Sequence, residues 1–267
     1  MSLFIAALLG LVEGLTEYLP VSSTGHLILV SHFLGENGEG AKSFDVVIQL
    51  GAILAVVIHY RALLLERMKG FVGGRREAIH LFGALLLAFL PTAAAGLLFR
   101  KAIRAHLFGP FPVAVALAAG CVVMIIVERA RARRKIDGAT GLEHVTPLRA
   151  LLIGLGQCVS LFPGASRSMC TIVAGQLTGL STATAAEFSF LLALPTLGAA
   201  TVYELYKGRH EMFATVGMAE LAVGMVVSFV VAWAVIASFL RYLRNRGLEA
   251  FGYYRIVVAA VVLWVLR

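Results

Sequence analysis

Charge is scarce in this chain. Only 14% of its 267 residues are Asp, Glu, Lys or Arg, where soluble domains carry roughly a quarter. An ordinary water-facing surface is therefore excluded. The hydrophobic share is 60% and the mean hydropathy is +0.89, so the natural unit of length is the membrane span of about 20 apolar residues. Cysteine is scarce too. Cys121, Cys158 and Cys170 form neither a CxxC pair nor a Cys/His metal spacing, which excludes a zinc site or a disulfide framework. They read as small apolar packing residues. Acidic residues are outnumbered 15 to 23 by basic ones, yet no basic stretch is interleaved with aromatics, so a single-strand nucleic-acid surface is not expected. The excess suits cytoplasmic loops against anionic headgroups. The apolar start lacks a basic leader and a small-residue cleavage site and carries Glu13 and Glu17 instead. It does not read as a cleaved signal peptide.

Long apolar runs are what the chain has. Six segments are long enough to cross a bilayer: about Phe44 to Tyr60, Ile79 to Phe99, Phe111 to Val127, Ala185 to Leu205, Met218 to Leu240 and Tyr253 to Leu266. Two further stretches are apolar but broken. Residues 3–34 are interrupted by Leu19-Pro20-Val21-Ser22-Ser23-Thr24-Gly25-His26, and residues 148–180 by Phe162-Pro163-Gly164-Ala165-Ser166-Arg167-Ser168. Each arm is too short to cross comfortably and suits a re-entrant hairpin. Proline stops the first arm, and Ser or Thr caps the second.

The broken stretches resemble one another. Pro20-Val21-Ser22-Ser23 matches Pro163-Gly164-Ala165-Ser166 at an offset of 143, and Phe44 to Leu50 matches Phe188 to Leu194 at 144. The expected fold is an all-α polytopic membrane protein built as an inverted repeat, with two re-entrant helical hairpins and six transmembrane helices. The first repeat covers about 1–127, the second about 148–267, and 128–147 is a basic cytoplasmic linker. Interrupted segments in matching places of two inverted halves point to a site near the midplane. With the N-terminus outside, cytoplasmic loops 61–78, 128–149 and 241–247 hold fourteen basic residues. The outside holds seven: Lys42, Arg100, Lys101, Arg104, Lys207, Arg209 and Arg267. The bias predicts both termini outside.

Polar residues cluster at the two breaks. Glu13 and Glu17 lie four apart, on one helix face. Ionised carboxylates in a bilayer are expensive and usually functional, and two on one face repel unless a cation, an Arg or a proton intervenes. Ser22, Ser23 and Thr24 sit at a helix start, where free N–H groups favour an anion. His26, one turn past Ser23, has the spacing to reach that hydroxyl or a bound phosphate. Arg167 is the only charge between Arg149 and Glu187. Its planar fork suits phosphate, although pairing with Glu13 or Glu17 is the structural alternative. Ser166, Ser168 and Thr171 flank it. Asp45 and Glu187 read as dipole partners at helix starts, and Gln49 as a neighbour of undecided role. Together the two breaks would supply a nucleophile, a base and an Arg for developing charge, an inventory for phosphoryl transfer. Paired carboxylates could hold a divalent cation on phosphate.

Glu13 to His26 and Pro163 to Ser168 with Thr171 are long, specific motifs. In them the chain resembles the undecaprenyl-diphosphate phosphatase family, also called bacitracin-resistance proteins. The resemblance covers essentially the whole chain, with no departure at the motif positions. It implies a bacterial inner-membrane phosphatase with an outward-facing site that cleaves a C55 lipid diphosphate to the monophosphate reused in cell-wall synthesis. It also implies a divalent cation, Mg2+ or Ca2+. On this reading Ser23 is the nucleophile, with direct attack by water open. His26 or Glu17 is the base, and Glu13 and Glu17 organise the metal. Arg167, Ser22, Thr24, Ser166, Ser168 and Thr171 hold phosphate. The partners are the polyprenyl lipid and the bilayer, and a homodimer is compatible with the sequence. The competing class is a transporter or flippase of polyprenyl phosphate, since inverted repeats with broken helices also build transporters.

Overall fold

With so little polar sequence, backbone amides must find partners within their own segments. The computed structural model describes residues 1–36, 38–107 and 109–265; the side chains at 39, 40, 42, 100, 104–106, 110 and 208–215 lie outside the description, as does Arg267 from the charge count. The described residues form eleven α-helices: α1 Leu3–Thr16, α2 Ser23–Leu34, α3 Glu39–His59, α4 Arg61–Val72, α5 Arg76–His106, α6 Pro110–Arg134, α7 Pro147–Gln157, α8 Arg167–Leu177, α9 Thr182–Thr215, α10 Met218–Leu243 and α11 Glu249–Val265. Short 3-10 turns occupy Leu142–His144 and Cys158–Leu161.

Four helices are long and apolar enough to cross a membrane, over Arg76–Phe99, Phe111–Arg134, Thr182–Lys207 and Met218–Leu243. Four of the six expected crossings fall on them. The expected crossing from Phe44 to Tyr60 falls on α3, which bends by 73° into α4; counted as one span, this pair makes five. The sequence reading placed residues 61–72 in a loop. They form a helix because Leu63, Leu64, Leu65 and Met68 favour it. Arg61, Glu66, Arg67 and Lys69 keep α4 suited to an interface rather than to hydrocarbon. The last expected crossing falls on α11, whose described length is 17 residues; Leu266 lies outside the described residues.

The two broken stretches are breaks in fact. Helix α1 has 14 residues and α2 has 12, while α7 and α8 have 11 each. At 1.5 Å per residue each spans about 16–21 Å, short of the roughly 30 Å hydrocarbon core. α1 packs on α10 and α7 on α5, while α2 meets α11 and α8 meets α6. Helices α3 and α9 pack together, as do α6 and α11. Small residues allow the tightest of these approaches. Gly10 lies against the backbone of Gly224, and Gly154 against that of Ala88, so a side chain at either would strike main chain. Around Tyr18 the core draws Ile172, Phe188, Phe190 and Phe239 from three later helices.

Candidate active site

The first break runs from Glu17 to Ser22. Glu17 closes α1, and the chain turns through Pro20 until Ser22, at φ 73°, caps α2 by accepting from the Gly25 amide at 3.4 Å. In the second break Ser166, also at φ 73°, caps α8 by accepting from the Met169 amide at 3.3 Å. A left-handed serine is strained by about 1–3 kcal/mol and tends to occur at functional sites. The matched backbones pair Ser22 with Ser166, an offset of 144, the same as Phe44 with Phe188. The sequence had paired Ser23 with Ser166. The difference arises because the second turn holds one more residue between its proline and its cap, around Gly164 at φ +94°.

The breaks meet at Glu17. One carboxylate oxygen accepts from the Ser23 hydroxyl at 2.6 Å, and the other pairs with Arg167 Nη2 at 3.1 Å. All three side chains are buried. Arg167 Nη1 donates to the Ser189 carbonyl at 3.0 Å and lies 3.3 Å from its hydroxyl. The guanidinium also sits 5.6 Å over the Tyr18 ring, while its Nε has no partner among the described atoms. Breaking a buried pair of this kind costs about 3–5 kcal/mol, because the survivor is left uncompensated.

A cavity of about 200 Å³ opens on this pair. Glu17, Ser22, Ser23 and Thr24 line it from the first break, and Gly164, Ser166 and Arg167 from the second. Gln49, Thr92 and Thr196 add polar groups, and Leu161, Phe162 and Leu197 add apolar ones. Helices α2 and α8 both begin at this wall, so the positive ends of two helix dipoles converge there.

Other expected site residues lie further back. Ser168 donates to the Leu19 carbonyl at 2.7 Å and is 3.1 Å from the Ser166 hydroxyl. Thr171 meets the Ser189 hydroxyl at 2.6 Å. Both shape the wall without lining it. His26 is turned away from Ser23: Nδ1 lies 2.7 Å from the Ser22 carbonyl and Nε2 2.7 Å from the Tyr254 hydroxyl. Both carboxylate oxygens of Glu13 are buried without a hydrogen-bond partner, and the charges acting on it are Glu17, Asp45 and Arg167. Asp45 and Glu187 do not open their helices. They lie well inside α3 and α9, beyond the first turn where a helix dipole is felt, because both helices start upstream of the apolar run. One Asp45 oxygen is also buried and unpartnered.

The sequence reading missed Ser189, Thr92, Thr196 and Tyr254. Ser189 had a signal, since it stands at offset 144 from Asp45 in the repeated segment. Thr92 and Thr196 each follow a proline inside a helix, Pro91 and Pro195, where a freed carbonyl invites a polar partner. Tyr254 had no signal in the sequence.

Buried hydroxyls, one guanidinium and two helix starts around a cavity define a polytopic membrane protein with an anion-receptive site at paired helix breaks. More particularly, the chain belongs to the bacitracin resistance protein BacA family, which it matches over residues 6–261. It is 60% identical over 262 residues to an undecaprenyl-diphosphatase of Sorangium cellulosum, covering 98% of this chain and 85% of that one. It is 47% identical over 265 residues to an undecaprenyl-diphosphatase of Thermoanaerobacter pseudethanolicus, covering 98% and 97%. With the undecaprenyl-diphosphatase of Acinetobacter baumannii the identity is 42% over 258 residues, covering 97% and 93%.

Proposed function

We propose that this chain is a membrane phosphatase that hydrolyses undecaprenyl diphosphate to the monophosphate and inorganic phosphate. The relatives' shared name supplies the substrate, and the Ser23–Glu17–Arg167 array carries the chemistry. The Ser23 oxygen attacks the terminal phosphorus and its proton passes to Glu17. The bond from that phosphorus to the bridging oxygen breaks, and the electron pair leaves with the lipid monophosphate, which takes up the proton held by Glu17. Water then attacks the phosphoserine phosphorus and gives its proton to Glu17, the bond from phosphorus to the Ser23 oxygen breaks, and that oxygen takes the proton back from Glu17 as phosphate leaves. Arg167 pairs with Glu17 when the cavity is empty. Phosphate competes for its fork, which leaves Glu17 free to take the serine proton. Ser22, Thr24 and Ser166 hold the non-bridging oxygens together with the first-turn amides of α2 and α8. The contacts of His26 favour Glu17 as the base.

A divalent cation suits the unpartnered Glu13 carboxylate. Among the described residues no three His, Cys, Asp or Glu side chains form a metal-holding group, so Glu13 and Glu17 would hold the ion jointly with diphosphate oxygens. It would neutralise phosphate charge.

We infer further that the chain sits in the inner membrane as two inverted repeats, with six crossings, two re-entrant hairpins and an outward-facing site. The matched serine caps, and the exchange of α1 on α10 for α7 on α5, support this. Trapping tests the chemistry: the wild type, quenched in acid during turnover of terminally labelled substrate, should carry label on Ser23, and Ser23→Ala should carry none. A wild type that turns over with no trapped label would move the attack to water.

A further inference from the structure

Arg255 lies in α11, far in sequence from either break, and no motif marks it. It is fully buried. Its Nη1 donates to the Pro20 carbonyl at 3.1 Å, in the first turn. Its Nη2 reaches the carbonyls of Gly164 at 3.0 Å and Ala165 at 3.1 Å, in the second. Nε and Nη2 also tie it to α6, through Leu117 at 3.1 Å and Ala116 at 3.2 Å. All five acceptors are backbone carbonyls, so one guanidinium joins the two turns that deliver Ser23 and Arg167. Gly120 leaves room for it, because a methyl there would press on Nη2.

Burying a cation against carbonyls alone is expensive, and a residue kept for packing would not need a charge. A planar five-donor fork is the one side chain that can satisfy carbonyls on three segments at once. We infer that Arg255 is a positioning residue: it holds the two helix breaks in register, so that Ser23 and Glu17 from one meet Arg167 from the other across the cavity. The inference rests on the phosphatase reading. A displacement of about 1 Å between reacting groups lowers turnover by up to roughly a hundredfold.

The test uses the full chain in detergent, with kcat expressed per folded molecule. Arg255→Lys keeps the charge but cannot bridge both turns. It should lower kcat about 10- to 100-fold with KM within about threefold. In an Arg167→Ala background it should add less than about threefold, because the register it keeps no longer serves that contact. A residue of general packing would instead show its whole loss again in that background, and that result, or an unchanged kcat, would overturn the inference. If Arg255→Lys does not fold, Gly120→Ala loosens the same clamp and is held to the same criteria; loss of the folded chain in both variants would make Arg255 a packing residue. An inactive wild type would refute the phosphatase reading instead. Inorganic pyrophosphate binding, read by thermal shift, would then decide: a weakening of about tenfold in Arg255→Lys sustains the inference, while unchanged or absent binding overturns it.

Discussion

At the scale of single residues, Glu17 is the junction, since one carboxylate contacts both the Ser23 hydroxyl, the proposed nucleophile, and the Arg167 guanidinium, the proposed phosphate ligand. Arg167→Lys should therefore be nearly as damaging as Arg167→Ala. Lysine keeps the charge but cannot serve Glu17 and Ser189 together, and losing one transition-state donor costs about 3 kcal/mol, or roughly a hundredfold in kcat. A lysine variant within about threefold of wild type would make Arg167 a point charge only. The two glutamates should separate. On the proposed mechanism Glu17→Gln would lose the proton acceptor of Ser23 and should fall further than Glu13→Gln, which would lose only a proposed cation ligand. Both should shift the magnesium or calcium titration of activity, whereas full activity in chelator would remove the metal. Glu17, Ser23 and Arg167 were legible because charge and hydroxyls are rare in such sequence. The direction of His26 was not, since helical spacing fixes a side chain's face but not the partner, here Tyr254, that captures it.

At the scale of elements, the breaks carry the site. Gly164 sits at φ +94°, and an added Cβ would lie 2.5 Å from the Val113 carbonyl oxygen. Gly164→Ala should destabilise the chain by about 1–3 kcal/mol and lower activity with it. Thermal unfolding in detergent measures this, and an unchanged midpoint would show that the turn accepts a side chain. The breaks were readable because proline followed by hydroxyl residues marks a helix stop and a helix cap. The bend of α3 into α4 was not, because no proline or glycine stands at Tyr60. The inward positions of Asp45 and Glu187 were missed for a related reason: apolar runs locate the buried part of a helix, not its first hydrogen-bonded turn.

For the whole molecule, the charge asymmetry predicts that the 128–149 segment lies in the cytoplasm. A cysteine introduced there should resist a membrane-impermeant thiol reagent in intact cells and react once the membrane is opened; ready labelling in intact cells would contradict both termini being outside. The likeness of the two broken stretches was readable as an offset of 143 to 144, but the Arg255 contacts joining the two breaks were not, because they arise only once α11 packs on α6. The central claim is that Glu17, Ser23 and Arg167 hydrolyse a polyprenyl diphosphate at this cavity. It is tested most directly by phosphate release from undecaprenyl diphosphate, with the purified wild-type chain and folded Glu17→Gln measured side by side. The account predicts steady release by the wild type and a loss of roughly a hundredfold or more in the variant. Equal rates in the two, or no release by the wild type, would contradict it.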